Sequence, residues 1–402
     1  MTCLRRLCLV VLAMLMGVPA HAADQRREHW VVTWAASPQP NDRDAKDPAL
    51  AIANQTLRQI VRVSLGGRRV RLRLSNAYGT TPLLVGAVHL GRHGGGAGIV
   101  AGSDHVVTFG QVASVTIPPG ALVVSDAVEL PVPAASELAV SLFFPMVTSA
   151  TTVHTTARQT TYLSPPGDFS GAATIGMPTT STAWYFISAV EVDAVAPAQA
   201  IVALGDSVTD GAKSSLDANH RWPDYLAQRL NAAARPRAIV NAGIGGNRLI
   251  GQLVGDNALA RLDRDVLALP GVRYVIVLEG INDIGTHTPD SSAEELIAAQ
   301  RQIIVRAHAL GVRVIGATLI PFEGAPFHGF YTAAGEGKRQ AVNRWIRSGG
   351  AYDGVIDFEA ALRDPEHPAR LLPAFDSGDH AHPNDAGYKA MADAVDLRLF
   401  AD

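Results

Sequence analysis

The sequence predicts an α/β fold built on a five-stranded parallel sheet, preceded by an all-β region of sandwich or jelly-roll type. Three observations carry this expectation. Up to about Val192 the chain runs in short segments of alternating charged and apolar residues, the period of strands with one wet face. From Ala200 onward, five continuous apolar runs alternate with helical stretches, the mark of a parallel sheet covered on both faces. Between the two patterns lies Asp193-Ala-Val-Ala-Pro-Ala-Gln199, small and proline-containing, where the domain boundary is expected.

The chain begins with Arg5 and Arg6, an apolar run from Leu7 to Val18, and Ala20-His21-Ala22. That order describes a secretory signal peptide over residues 1–22, cleaved after Ala22, and a secreted or periplasmic protein. The apolar run falls short of the roughly 20 residues that span a bilayer, so no stable membrane insertion is expected once it is removed. Both cysteines, Cys3 and Cys8, lie inside it, so the mature chain would have neither disulfides nor a catalytic thiolate. Cys8 precedes most of the apolar run, which argues against a lipid anchor. Removal takes away two arginines and no acid, leaving 32 basic and 37 acidic residues. A surface without basic excess is a poor match for a nucleic-acid backbone.

Residues 23–195 form the expected β-rich region. Residues 58–65 and 69–75 alternate arginine with apolar residues, and a hairpin through Gly66-Gly67 would join them. Their arginines are read as a solvated face rather than a polyanion groove. Further strands are expected at 84–90, 113–117, 138–144 and 184–192. Such a region could bind carbohydrate if Trp30, Trp34 or Trp184 were exposed, although tryptophan in strands is more often core.

Residues 196–402 form the expected α/β region. Its strands are placed at 200–204, 238–241, 274–278, 312–319 and 354–357, with helices at 222–233, 293–310, 338–346 and 384–400. Right-handed crossovers would align all the strand ends, so the loops after Gly205, Asn241, Glu279 and Leu319 converge.

Those loops hold the chemistry. Gly205-Asp206-Ser207 puts a hydroxyl at the carboxyl edge of the sheet. Asn241-Ala-Gly-Ile-Gly-Gly-Asn-Arg248 is a glycine-rich turn able to offer backbone N–H groups, with Arg248 read as a solvated arginine more readily than a substrate contact. In Glu279-Gly-Ile-Asn-Asp283, Asn282 adds an amide donor that does not titrate. Near the end comes Asp376-Ser-Gly-Asp379-His380-Ala381-His382-Pro383-Asn384. A carboxylate three residues before a histidine can fold back to accept its Nδ1 proton and leave Nε2 facing a serine. Asn384 is placed to cap the last helix.

Together these four segments resemble the blocks of the SGNH hydrolase superfamily, the GDSL esterases and lipases, over about residues 198–402. The resemblance implies a flavodoxin-like three-layer α/β/α fold and a serine esterase without cofactor or metal. It implies Ser207 as nucleophile, His382 as general base and Asp379 as its orienting acid. The oxyanion hole would be the N–H groups of Ser207 and Gly246 with the side chain of Asn282. Gly243 and Gly245 compete with Gly246, and His380 competes with His382, although only His382 has Asp379 at the three-residue spacing and Pro383 after it. Val208 stands where the family often has leucine. No Gly-x-Ser-x-Gly surrounds Ser207, so the α/β-hydrolase elbow does not apply.

The substrate expected is a small-molecule or polysaccharide acyl ester, with short-chain or acetyl groups foremost and a lipase or lysophospholipase activity as the alternative. Two other classes are a metallohydrolase built on Asp379, His380, His382, Asp385 and His367, and an inert carbohydrate-binding protein.

Overall fold

A computed structural model describes residues 28–41, 50–194, 198–233, 237–286 and 290–401. The expected signal peptide, with Cys3 and Cys8, lies outside the described residues. Among those residues no helix is long and apolar enough to cross a membrane.

The five apolar runs of the second half form strands Gln199–Gly205, Arg237–Gly243, Val272–Leu278, Arg313–Ala317 and Gly354–Ile356. They pair in parallel throughout, in the spatial order 2-1-3-4-5. The residues from Ala200 to Leu204 and from Val275 to Ile276 are fully buried, as strands covered on both faces must be. Helices Trp222–Ala232, Ala293–Ala309 and Ala333–Ser348 follow the first, third and fourth strands. Ser292 and Glu295 start the second of these with a reciprocal capping box. The last helix stops at Asp393, and the expected remainder is a separate 3₁₀ turn, Leu397–Phe400. The order of strand addition reverses between the first and third strands, so their carboxyl ends flank the crevice where such sheets bind ligands.

Among the described residues the first half contains five antiparallel sheets, the two largest of four and six strands. One orders Trp30–Ala35, Ile187–Asp193, Val70–Ser75 and Leu122–Val124; the other orders Thr179–Ser181, Thr161–Leu163, Gln55–Arg62, Glu137–Phe144, Ala87–Arg92 and His105–Val106. Period-two alternation turns Val70, Leu72 and Leu74 of one sheet, and Leu57, Val61, Leu138, Val140 and Leu142 of the other, into one core. On the opposite face of the larger sheet, Ile60 and Ala139 pack with Ile99. The main core does not end at the boundary between the halves, because Val31 and Val32 belong to the same cluster as Ala200 and Val202. Hydrogen bonds cross there too, from Val32 N to Pro270 O at 3.0 Å and from Ile239 N to the side-chain Oγ of Ser64 at 3.0 Å.

Two expectations for this half need correction. Residues 58–65 and 69–75 are not a hairpin: Gln55–Arg62 pairs with Glu137–Phe144 and Thr161–Leu163, whereas Val70–Ser75 pairs with Ile187–Asp193 and Leu122–Val124. Gly66-Gly67 instead lets the chain cross between sheets, where a Cβ on Gly66 would lie 2.6 Å from the Val132 carbonyl oxygen.

The alternating arginines are not a solvated face. Arg58 is fully buried and donates to Ser141 Oγ and to the carbonyls of Ala97, Phe169, Ser170 and Ala172. Burial lowers its pKa to about 10, still well above the working range. Arg71 and Arg73 share the buried carboxylate of Glu191, which the register places directly opposite Arg71. A buried carboxylate needs such partners, and here two arginines supply them.

Trp34 and Trp184 are core residues in edge-to-face contact at 4.9 Å, with Trp184 Nε1 donating to Ile60 O. Trp30 is half-buried, with the Arg71 guanidinium 4.2 Å from its ring centroid. Two of the three tryptophans considered for sugar stacking are thus sealed inside.

Candidate active site

The first strand ends at Gly205, and Asp206 caps the one-turn helix Ser207–Asp210 by accepting from Val208 N at 2.9 Å. Ser207 is the first residue of that turn, so its side chain stands at the carboxyl edge of the sheet and its own N–H is an unpaired helix-terminal donor. Asn384 caps the helix Asp385–Asp393 and also donates to the carbonyls of Ala374 and Asp376. It therefore anchors the loop that carries Asp379 and His382.

The three residues expected to form a triad meet here. His382 Nε2 lies 2.9 Å from Ser207 Oγ, and His382 Nδ1 lies 2.8 Å from Asp379 Oδ2. Asp379 also accepts from the N–H groups of His382 and Ala381 and from Ser377 Oγ. Burial alone would raise its pKa, but the bond to the His382 ring, that ring's charge and the two N–H groups hold it well below the usual carboxylate range. An ionised Asp379 fixes the proton on Nδ1 and leaves the Nε2 lone pair toward Ser207.

His380 does not compete. Its Nδ1 is 2.5 Å from Asp376 Oδ2, it is exposed, and it adopts a φ of 58°. The other residues of the metal constellation are dispersed as well. Asp385 pairs with His220 and Ser215, and His367 stands in an exposed loop. Among the described residues, no group of three or more His, Cys, Asp or Glu side chains is arranged to hold a metal ion.

The glycine-rich turn after the second strand resolves by accounting for its donors. Gly243 N–H is bound by Asn241 Oδ1 at 2.8 Å, and Gly245 N–H by Asp210 Oδ2 at 2.8 Å. Among the described residues Gly246 N–H has no protein acceptor, and neither does Ser207 N–H. Gly246 takes a φ of +80°, a conformation that favours glycine. Asn282, on the turn Ile281–Gly285 after the third strand, gives one amide hydrogen to Asn247 O at 2.8 Å. Among the described residues its second amide hydrogen has no acceptor.

Buried charges brace these loops from behind. Asp283 accepts from the N–H groups of Leu249, Ile250 and Gly251, tying the second loop to the third. Arg248 corrects the sequence reading, since it is fully buried with its Nε 3.5 Å from Asp283 Oδ1. Glycine-rich turns suggest exposure; here the turn folds over its own arginine. Arg261, also fully buried, donates to Gly205 O, Ala242 O, Asn247 Oδ1 and Ser37 Oγ. It joins the first two strand ends to the second loop and to the β-rich region. Asp206 has its pKa pushed up to about 7 by burial, against the pull of Val208 N–H and His382. Glu279 is raised well above the carboxylate range by burial and by Asp206. Sequence reasoning missed Arg261, Asp210 and the carboxylates of Asp206 and Glu279 as a group, because each reads locally as a turn or helix residue.

Residues 203–390 match the model of the GDSL-like lipase/acylhydrolase family. Among solved structures, a GDSL-like lipase from Bacteroides thetaiotaomicron aligns at 19% identity over 50% of this chain and 87% of that one, with a TM-score of 0.40. A carbohydrate acetylesterase family member from Sinorhizobium meliloti aligns at 14% identity over 50% and 98%, with a TM-score of 0.41. An acetyl-xylooligosaccharide esterase variant from Geobacillus aligns at 23% identity over 51% and 95%, with a TM-score of 0.39. No curated protein matches the chain. With the family match covering all four loops described above, residues 203–390 form a GDSL-like lipase/acylhydrolase domain, and the chain is a carboxylic ester hydrolase.

Proposed function

We propose that the protein is an exported serine esterase in which Ser207 attacks the ester carbonyl and His382 takes its proton. The observation that carries this reading is the continuous path from Ser207 Oγ through both nitrogens of His382 to Asp379, at 2.9 and 2.8 Å. As Oγ bonds to the carbonyl carbon, the carbonyl oxygen becomes an oxyanion that the N–H groups of Ser207 and Gly246 and the amide of Asn282 stabilise. The imidazolium of His382 then gives its proton to the departing alcohol, leaving an acyl-enzyme. Water, deprotonated by the same imidazole, releases the acid and restores Ser207.

The substrate class we favour is a short-chain acyl ester, acetyl groups on carbohydrate among them. Val254 packs against Gly246, its side chain 2.9 Å from where a Cβ there would lie, so that position takes only glycine. Rates across nitrophenyl esters from acetyl to long-chain, with acetylated xylan and pectin alongside, test the substrate class. A maximum at long chains would favour the lipase reading instead. Labelling by a fluorophosphonate that is lost in Ser207→Ala tests the nucleophile, and N-terminal sequencing of protein recovered outside the cytosol tests cleavage after Ala22.

A further inference from the structure

A second histidine–aspartate pair lies behind the site, and its histidine comes from the β-rich region. His154, on the strand Thr152–His154, has Nε2 2.9 Å from Asp210 Oδ1 and Nδ1 3.0 Å from the Ser37 carbonyl oxygen. Asp210 closes the catalytic turn that Ser207 opens, and its other oxygen accepts the Gly245 N–H at 2.8 Å. Gly245 directly precedes Gly246, whose free N–H is the second backbone donor of the proposed oxyanion hole. Resting on the serine esterase reading above, we propose that His154 and Asp210 are positioning residues, which hold the Gly245-Gly246 turn at the distance the oxyanion requires.

The arrangement is rigid at each link. The His154 ring lies 5.7 Å from the Trp184 ring, and Trp184 is itself held by Trp34 and by its bond to Ile60. At Gly243 a Cβ would stand 2.2 Å from Asp210 N, so the backbone of the turn that Asp210 closes is pressed onto the second strand. Thr156, two residues after His154, packs over the same loop, its Oγ1 3.3 Å from where a Cβ on Gly245 would lie. Both partners of the His154 ring are pure acceptors, a carbonyl and a carboxylate, so both ring nitrogens carry hydrogen and the ring is an imidazolium. Burial would lower its pKa; Asp210, together with the bond to Ser37, reverses this and raises it. The pair thus serves as a buried strut rather than a proton carrier.

The chain of bonds gives Asp210 a requirement that can be tested separately from folding. Asp210→Asn can still accept the Gly245 N–H while its amide donates to a neutral His154, so every bond survives. Asp210→Ala removes the strut. With nitrophenyl acetate as substrate, Asp210→Ala is expected to lose about 10²-fold in kcat, the scale of a misplacement near 1 Å, with KM changed only a few fold. Asp210→Asn should recover to within about tenfold of wild type, and His154→Leu should follow Asp210→Ala. If His154→Leu does not fold, the two Asp210 variants carry the test, because in both His154 can shed its proton and so leave no buried unpaired charge. A folded Asp210→Ala with wild-type kcat, or an Asp210→Asn as impaired as Asp210→Ala, overturns the proposal. Ser207→Ala is measured in parallel. If it stays active, the esterase reading falls and takes this inference with it; if it is inactive while Asp210→Ala is not, the inference alone falls.

Discussion

The loop of Asp379 and His382 and the seam between the two halves each hold a histidine against an aspartate, and the bond lengths barely differ. Asp379 meets His382 at 2.8 Å and Asp210 meets His154 at 2.9 Å. What differs is the far nitrogen. His382 faces Ser207 Oγ, which can donate, so the ring can be neutral and accept a proton. His154 faces the Ser37 carbonyl, which cannot, so the ring is held as a cation. Exposure follows the same division, since the His382 side chain is 12% exposed and that of His154 only 4%. An aspartate beside a histidine therefore does not make a base; the third partner decides whether the pair transfers a proton or props a loop.

The comparison breaks most visibly under one substitution made twice. Ser207→Ala sets the floor, with a loss of kcat on the order of 10⁶-fold expected if the serine is the nucleophile. Asp379→Asn should cost about 10⁴-fold, because the asparagine amide would donate to Nδ1, move the ring hydrogen to Nε2 and present Ser207 with a donor instead of a base. The same change at Asp210 leaves all its bonds in place, as argued above. Steady-state rates that fell equally for both Asp→Asn variants would erase the distinction between the two pairs.

A smaller loss is expected at Asn282, the third donor of the proposed oxyanion hole. Asn282→Ala should lower kcat by about 10²–10³-fold while the protein stays folded. Combined with Asp210→Ala, the two losses should not multiply, because both act on one oxyanion and the Asn282 amide is bonded to Asn247, next to Gly246. Fully multiplicative losses in a double-mutant cycle would place Asp210 outside the oxyanion system.

The two halves also differ in how far the sequence reveals them. In the α/β half, five apolar runs, a capping box at Ser292 and glycine-rich turns are all local signals, and the sheet they predict is the sheet observed. Ser207, His382, Asp379, Gly246 and Asn282 are all readable from their loops; the structure brings His382 against Ser207 and Asp379, and Asn282 against Asn247 beside Gly246. In the β-rich half the decisive partners are remote. Arg71 and Arg73 look solvated until Glu191 is brought opposite them from more than a hundred residues away. Gly66-Gly67 looks like a hairpin until the flanking strands join different sheets. His154 carried no local motif at all, since its partner Asp210 and its acceptor Ser37 lie 56 and 117 residues distant. Antiparallel pairing of short strands is set by long-range register, and a one-residue shift would exchange its buried and exposed faces.

The smallest effect expected concerns Asp206, which lies between the two pairs and senses both, lowered by His382 and raised by Asp210. Its pKa in the folded protein is about 7, above the 3.8 of an ordinary aspartate. Between those values the folded chain keeps a proton that the unfolded chain has lost, so stability falls as pH rises through that window. Asp206→Asn removes the titration but keeps the cap, because asparagine accepts from the Val208 N–H as well as aspartate does. Its Tm relative to wild type should therefore climb by on the order of a few °C between pH 5 and pH 8. A difference in Tm that stays constant over that range would mean that Asp206 is ionised throughout, with His382 outweighing both burial and Asp210. A rising difference would locate the buried proton of the site on the carboxylate between the two histidines, where neither pair can use it for transfer.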